Sequence, residues 1–319
     1  MESSGEGRER EASEVSAMQQ SVNRNDLYRE ITGKIIAELE EGVVPWVRPW
    51  RSQAPGPSLS LPKNGLTTRT YSGINILLLW KALDGGGFAS CHWLTFKQAL
   101  ELGGSVRKGE KGTHVFYADR FIPEKERVRA ETTGDEPEAI PFLKRYTVFN
   151  VEQCDGLPEH LFVARPPLPE CQIIPEAQAL ILATGADFRV GGNVAIYYPG
   201  EDIIRVPHQS AFIDQINYYR TAFHELGHWT GHASRLARDL SRGRGSAGYA
   251  HEELVAEMAT AFACAALGIV PTVRHSDYIG SWLAVLKEDS RAIFKAASQA
   301  SKAADYLLKY TSPVIEAAA

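Results

Sequence analysis

Thr221–His232 read TAFHELGHWTGH, and His224, Glu225 and His228 within it form an H-E-x-x-H. Residues four apart lie on one face of a helix, so imidazoles spaced this way can reach a single ion. Apolar residues at Phe212, Ile216, Phe223 and Leu226 predict a helix over 212–229. Glu225 sits beside the pair, placed to take a proton from a water that the ion acidifies. An amide is unreactive enough to need such a water, whose pKa a zinc ion lowers to about 7. The pattern therefore predicts a zinc site with His224 and His228 as ligands and Glu225 as general base. Nitrogen and oxygen donors also accept manganese or cobalt.

A catalytic zinc takes a third protein ligand and keeps one position open. His232 follows His228 by only four residues, and Gly231 argues against a helix that would carry it to the metal. The better candidates lie downstream, in HEELVAEMATAFACAAL (His251–Leu267), where Glu253 and Glu257 share a helical face. Glu253 is the expected third ligand, and Glu257 is expected to orient a ligand histidine; the two roles can be exchanged. Glu252 is expected to face solvent. Tyr249 and His251 precede this helix, where an ordinary loop role outweighs help to an oxyanion. Two strands joined at Pro199-Gly200, Val194–Tyr198 and Asp202–Val206, offer an edge along which a peptide can lie.

Around this site the chain has 319 residues, a net charge of -5 and 44% hydrophobic residues, which suit two globular domains and an α+β class. The four cysteines form no C-x-x-C pair, which speaks against a zinc ribbon or a disulfide scaffold and fits a cytoplasmic protein. No apolar run reaches the length of a membrane span, and the N-terminus has no signal-peptide core. Residues 1–22 read as a disordered tail, 23–155 as one domain, 156–172 as a linker around PPLPE, and 173–319 as a second domain. Helices are expected from Asn25 onward, over Tyr71–Leu83, from Thr95, over Glu176–Gly185, and from Asp277 to about Tyr310 in one or two pieces. Strands are expected at His114–Phe121 and Arg145–Val151, and residues 123–141 read as a long exposed loop.

The net acidity hides a local asymmetry. Gly42–Ile122 carries ten Lys/Arg against four acids, and four of the six tryptophans. Cations that track phosphates and rings that stack on unpaired bases suit single-stranded nucleic acid. The expected contacts are Trp46, Arg48, Trp50, Arg51, Arg69, Arg107, Lys108 and Lys111, whereas Trp80 and Trp93 read as core.

Several long motifs also resemble one family in the same order. YSGINILLLW (Tyr71–Trp80), WLTFKQA (Trp93–Ala99) and VRKGEKGT (Val106–Thr113) are similar to the N-terminal domain of ArdC-type antirestriction proteins. YTVFNVEQ (Tyr146–Gln153), HELGHWTGH (His224–His232) and EELVAE (Glu252–Glu257) are similar to that family's zincin-like C-terminal domain. The resemblance covers about residues 25–312. It implies single-stranded DNA binding by the first domain, in a plasmid or mobile-element protein that protects incoming DNA from restriction during conjugation. It also implies a zincin-like metallopeptidase domain, its H-E-x-x-H helix packed on a small sheet, with His224, Glu225 and His228 carried over directly and a protein substrate left open. Two other readings fit the same residues: a DNA-associated zinc protease without an antirestriction role, and a DNA-binding protein whose metal is only structural.

Overall fold

The computed structural model describes residues 25–47, 60–134, 136, 137, 139–162, 170–241, 243, 245–270 and 278–311. The expected tail at 1–22 lies outside them, as do Arg48, Trp50 and Arg51. Residues 25–40 form α1, whose apolar stripe buries Ile31, Ile35 and Leu39. There follow β1 (Lys63–Asn64), α2 (Ile74–Gly86), β2 (His92–Leu94), α3 (Phe96–Glu101), β3 (Ser105–Val106), β4 (Thr113–Phe121), α4 (Glu124–Thr133), β5 (Ile140–Asn150) and β6 (Cys154–Asp155). One sheet has the order β1-β2-β5-β4, and β3 pairs separately with β6. α3 starts where Thr95 and Gln98 exchange hydrogen bonds in a capping box. Asn75 of α2 closes the outer edge of β4, accepting from the Phe116 N–H and donating to its carbonyl, each at 2.8 Å. Unclosed, that edge would offer its backbone groups to any extended chain.

The charged stretch expected as a loop over 123–141 contains α4 instead. Proline suits the start of a helix, and Arg127–Glu124 and Arg129–Glu126 are i,i+3 ion pairs. The helical spacing was carried by charge rather than by an apolar stripe, so hydrophobic periodicity had nothing to register.

The C-terminal half runs α5 (Glu170–Ala183), β7 (Asp187–Val190), β8 (Ile196–Tyr198), β9 (Ile203–Val206), α6 (Gln215–Trp229), α7 (Ala247–Ala266), α8 (Ile279–Glu288) and α9 (Ala292–Leu308). Its small sheet has the order β7-β9-β8, with β8 antiparallel to β9 on the outside. α6 lies on this sheet: Ala222, Phe223 and Leu226 share a core with Tyr197, Ile204 and Val206. β7 was not anticipated; it is short, parallel to β9, and leaves Val190 exposed. The last helical stretch breaks at Asp289, whose carboxylate accepts from the Arg291 N–H at 2.8 Å.

The largest apolar cluster draws on both halves. Ile31, Leu77 and Trp80 pack with Met258, Phe262, Trp282 and Ile293. Alanines on α7 and α9 (Ala259, Ala263, Ala296, Ala300) are buried where those helices meet, and their small size allows a close approach. Polar ties cross the same interface: Thr32 Oγ1 donates to Ser290 O at 2.6 Å, and the Gly73 N–H to Ser301 Oγ at 2.8 Å. Among the described residues no helix is long and apolar enough to cross a membrane.

Candidate metal centre

α6 turns His224 and His228 toward α7, which carries Glu252, Glu253 and Glu257, and Glu225 is buried beside them. The helices approach closely where Gly227 meets Ala256: a Cβ at 227 would lie 3.4 Å from the Ala256 Cα, in contact with that backbone. The two Nε2 atoms of His224 and His228 are 3.2 Å apart. Glu253 reaches both, with Oε2 at 3.4 Å from His224 Nε2 and Oε1 at 3.5 Å from His228 Nε2. Bonds of about 2.0–2.2 Å to a tetrahedral ion set its donors roughly 3.3–3.6 Å apart. The three separations fit one ion, and the donor atoms of these residues all lie within 4.8 Å of one another.

The outer nitrogens each face a carboxylate as well. His224 Nδ1 faces Glu257 Oε1 at 3.6 Å, and His228 Nδ1 faces Glu252 Oε1 at 3.2 Å. The two glutamates left interchangeable by the sequence thus sit differently. Glu253 lies between the imidazoles, and Glu257 lies behind His224, where a supporting carboxylate belongs. Glu252, expected in solvent, is only 7% exposed. One helix register explains the error: α7 is buried on nearly every side, so three glutamates enter the interior together.

Four buried carboxylates, Glu225, Glu252, Glu253 and Glu257, surround two imidazoles. Buried anions need cations close by. Burial opposes a proton on His228, but Glu252 and Glu253 outweigh it and push that imidazole up to about 10. Burial likewise opposes charge on Glu253, yet the two histidines hold its carboxyl well below the usual range. Arg238 pairs with Glu252, and a divalent cation suits the negative charge that remains.

His224, Glu225 and His228 line a cleft of about 280 Å³, with Ile196 and Tyr197 of β8 on one wall and Tyr249 and Tyr278 on another. Tyr249 belongs to the first turn of α7 rather than to a preceding loop, and its hydroxyl lies 3.3 Å from that of Tyr278. Burial, Glu253 and Tyr278 together raise the Tyr249 phenol above its ordinary range. Tyr278 carried no sequence signal, being distant and in no motif. His232 turns away to Ser234, with Nδ1 at 2.8 Å from Oγ. A larger groove of about 570 Å³ between α1 and α2 is lined by apolar side chains, and its Glu30 and Glu38 are paired with Lys34 and Lys81.

Residues 25–149 match the N-terminal domain of the anti-restriction factor ArdC, and residues 175–299 match a zincin-like metallopeptidase. The metal-free crystal structure of the antirestriction ArdC protein from plasmid R388 superposes with a TM-score of 0.74 at 42% identity, over 89% of this chain and 97% of that one. The chain belongs to the ArdC antirestriction family. The Mn(II)-bound structure of that ArdC protein agrees equally, with a TM-score of 0.73, 40% identity and 98% of its chain covered. The uncharacterized protein y4eC of Sinorhizobium fredii is 38% identical over 289 residues, 88% of this chain and 91% of that protein. The DNA primase TraC of Escherichia coli is 37% identical over 311 residues, but the chain spans only 28% of TraC's length. The zincin-like domain of an ArdC family member implies a divalent metal, and the donor set above accords with one.

The expected DNA contacts of this ArdC-type chain fare unevenly. Arg69, Lys108 and Lys111 are exposed. Arg107 is exposed too, but it pairs with Glu110 at 2.8 Å and donates to Glu152 O at 2.6 Å. Trp46 must be corrected. It is 1% exposed and packs edge-on against Trp282 at 5.3 Å, so it offers no face to a base. Its flanking prolines and arginines suggested a surface loop, yet the ring plugs the core shared by α1 and α8. Trp46→Ala is therefore expected to cost about 3–5 kcal/mol of stability, read as a lower unfolding midpoint, with DNA affinity unchanged in the folded fraction. Trp80 and Trp93 are core, as expected. Tyr117 and Tyr146, which the sequence reading did not single out, are exposed on one face of β4–β5, where Tyr117 stands opposite Lys144 and Val115 opposite Tyr146. Alternation alone could not have found Tyr146, which lies on the same strand face as the buried Val148 and Asn150.

Proposed function

We propose that this chain is a single-stranded-DNA-binding antirestriction protein of a conjugative plasmid or mobile element, whose C-terminal half is a zinc-dependent peptidase-type centre. The observation that carries the centre is the convergence of His224, His228 and Glu253 beside Glu225, at the floor of a cleft walled by an outer strand. When bound, the ion supplies Lewis-acid polarisation of a substrate carbonyl. The chain's own residues supply the rest. His224, His228 and Glu253 hold the ion, and Glu257 steadies His224. β8 offers main-chain groups along which an extended peptide can lie. The Glu225 carboxylate accepts the proton of the attacking water and returns it to the leaving amine. The Tyr249 and Tyr278 hydroxyls face the same cleft and can donate to a developing oxyanion.

The DNA half of the reading is supported by family membership and by the exposed face of β4–β5. Tyr117 and Tyr146 form a pair of rings on a sheet surface with Lys144 beside them, and Lys108 and Lys111 lie in the turn that leads into β4. Stacking on such rings is worth about 1–3 kcal/mol per base. Titrating the whole chain into labelled single-stranded and duplex oligonucleotides by anisotropy tests it. The expected result is salt-sensitive binding that prefers the single strand, weakened about 5- to 100-fold by Tyr146→Ala. Equal affinity for duplex, or no effect at Tyr146, would remove this face from the account.

A further inference from the structure

The loop that leaves α6 folds back onto the helix end. The Leu236 N–H donates to Thr230 O at 3.0 Å, the Ala237 N–H to His232 O at 3.1 Å and the Arg238 N–H to Gly231 O at 2.8 Å. Ala237 adopts a left-handed conformation, φ +48°, which side chains other than glycine, asparagine and aspartate seldom take. This turn delivers the Arg238 guanidinium to the C-terminal carbonyls of α6. Nη2 donates to Gly227 O at 2.7 Å and Nη1 to Thr230 Oγ1 at 2.9 Å. The same guanidinium grips Glu252 bidentately, Nη2 to Oε1 at 2.8 Å and Nε to Oε2 at 3.0 Å. Both side chains are buried, 5% and 10% exposed. The Oε1 that Arg238 holds is the atom facing His228 Nδ1.

Gly231 makes this possible. A Cβ there would lie 2.9 Å from Arg238 Nη2 and 3.0 Å from both Arg238 Cζ and His228 O. The glycine that reads in the sequence as a helix stop is the space in which the guanidinium rests.

We propose that Gly231, Arg238 and Glu252 form a positioning unit for His228, one that sets how tightly the centre binds its ion. This inference rests on the metal site proposed above. A neutral imidazole has one donor and one acceptor nitrogen. A carboxylate accepts, so Glu252 holds the Nδ1 proton of His228 and keeps Nε2 turned toward Glu253 and His224, where an ion would take the place of the Nε2 proton. Arg238 holds Glu252 in place, because a bidentate pair fixes both oxygens at once. A glutamine at 252 can turn its amide N–H toward Nδ1 and stabilise the opposite tautomer.

The test is calorimetric titration of Mn(II) into the full, metal-stripped chain, with the unfolding midpoint of each metal-free variant measured alongside. Glu252→Gln and Arg238→Met are each expected to weaken Mn(II) binding about 10- to 100-fold. The double variant should bind no more weakly than the worse single one, because both changes break one relay. Arg238→Lys, which keeps the charge without the fork, should fall between. Should the glutamine variant fail to fold, Gly231→Ala carries the test: it displaces the guanidinium, deletes nothing, and should weaken binding several-fold. Losses that multiply in the double variant, or folded variants that bind as tightly as the unaltered chain, overturn the positioning role. An unaltered chain that takes up no Mn(II) overturns the metal site beneath it.

Discussion

Glu225→Gln is expected to leave the divalent ion in place and to lower metal-dependent peptide hydrolysis by about 10²–10⁴-fold, the usual worth of a positioned general base. Glu225 lines the cleft but stands outside the cluster of His224, His228 and Glu253, so its loss removes no ligand. Glutamine keeps the size and polarity of a side chain that is 5% exposed, and packing should survive. The amide cannot take up a proton, and that is the single property withdrawn. Assay of a quenched-peptide mixture, with ion content measured on the same samples, separates the two effects. Hydrolysis that persists undiminished would assign the base elsewhere.

Glu253→Ala has the second large effect, and it falls on binding. The carboxylate is the group that approaches both Nε2 atoms, and two imidazoles alone leave the ion half-held. Mn(II) or Zn(II) affinity is expected to fall by more than the roughly 10- to 100-fold that a supporting residue is worth. Glu257→Gln should stay within that range, because Glu257 approaches His224 from the Nδ1 side. The contrast also appears in thermal unfolding. An ion present at a hundred times its dissociation constant stabilises the native state by about 2.7 kcal/mol. That ion-dependent rise should vanish for Glu253→Ala and only shrink for Glu257→Gln. Equal effects of the two substitutions would undo the distinction drawn between these glutamates.

How far the site could be read from residues alone depended on whether its parts were local. His224, Glu225 and His228 lie within one turn and a half of helix, and helical spacing brings them to one face whatever surrounds them. Glu253 and Glu257 were legible as a pair, because their own spacing is helical too. Their separate duties were not, since these depend on how α7 crosses α6 at Gly227 and Ala256. Glu252 was misread because helical pattern alone cannot tell a solvated face from a helix buried all round. Arg238 and Tyr278 come from loops and neighbouring helices, at distances no spacing rule addresses.

The fold shows the same division. Amphipathic α1, apolar α2 and the β-branched and aromatic runs of β4, β8 and β9 each wrote their pattern into the chain. α4 escaped because its helical repeat is one of charges, and β7 because the alternation of Asp187, Phe188, Arg189 and Val190 spans only four residues, too few to stand out. Trp46 shows the converse hazard. An aromatic flanked by arginine and proline looks like a nucleic-acid contact, yet burying a tryptophan against Trp282 is the more favourable use of so much apolar surface. Among the described residues of the N-terminal half, the exposed phenylalanine and tyrosine rings are Phe96 on α3 and Tyr117 and Tyr146 on the β4–β5 pair.

The central claim is that one divalent ion sits between α6 and α7 on His224, His228 and Glu253. Crystals of the full chain grown with Mn(II) and measured for anomalous scattering test it most directly. The account predicts a single strong peak within about 2.3 Å of both Nε2 atoms and of a Glu253 oxygen, with Glu252 and Glu257 off the ion, on the side of the outer nitrogens. A peak bound to other residues, or none at a concentration that saturates binding in solution, would contradict it.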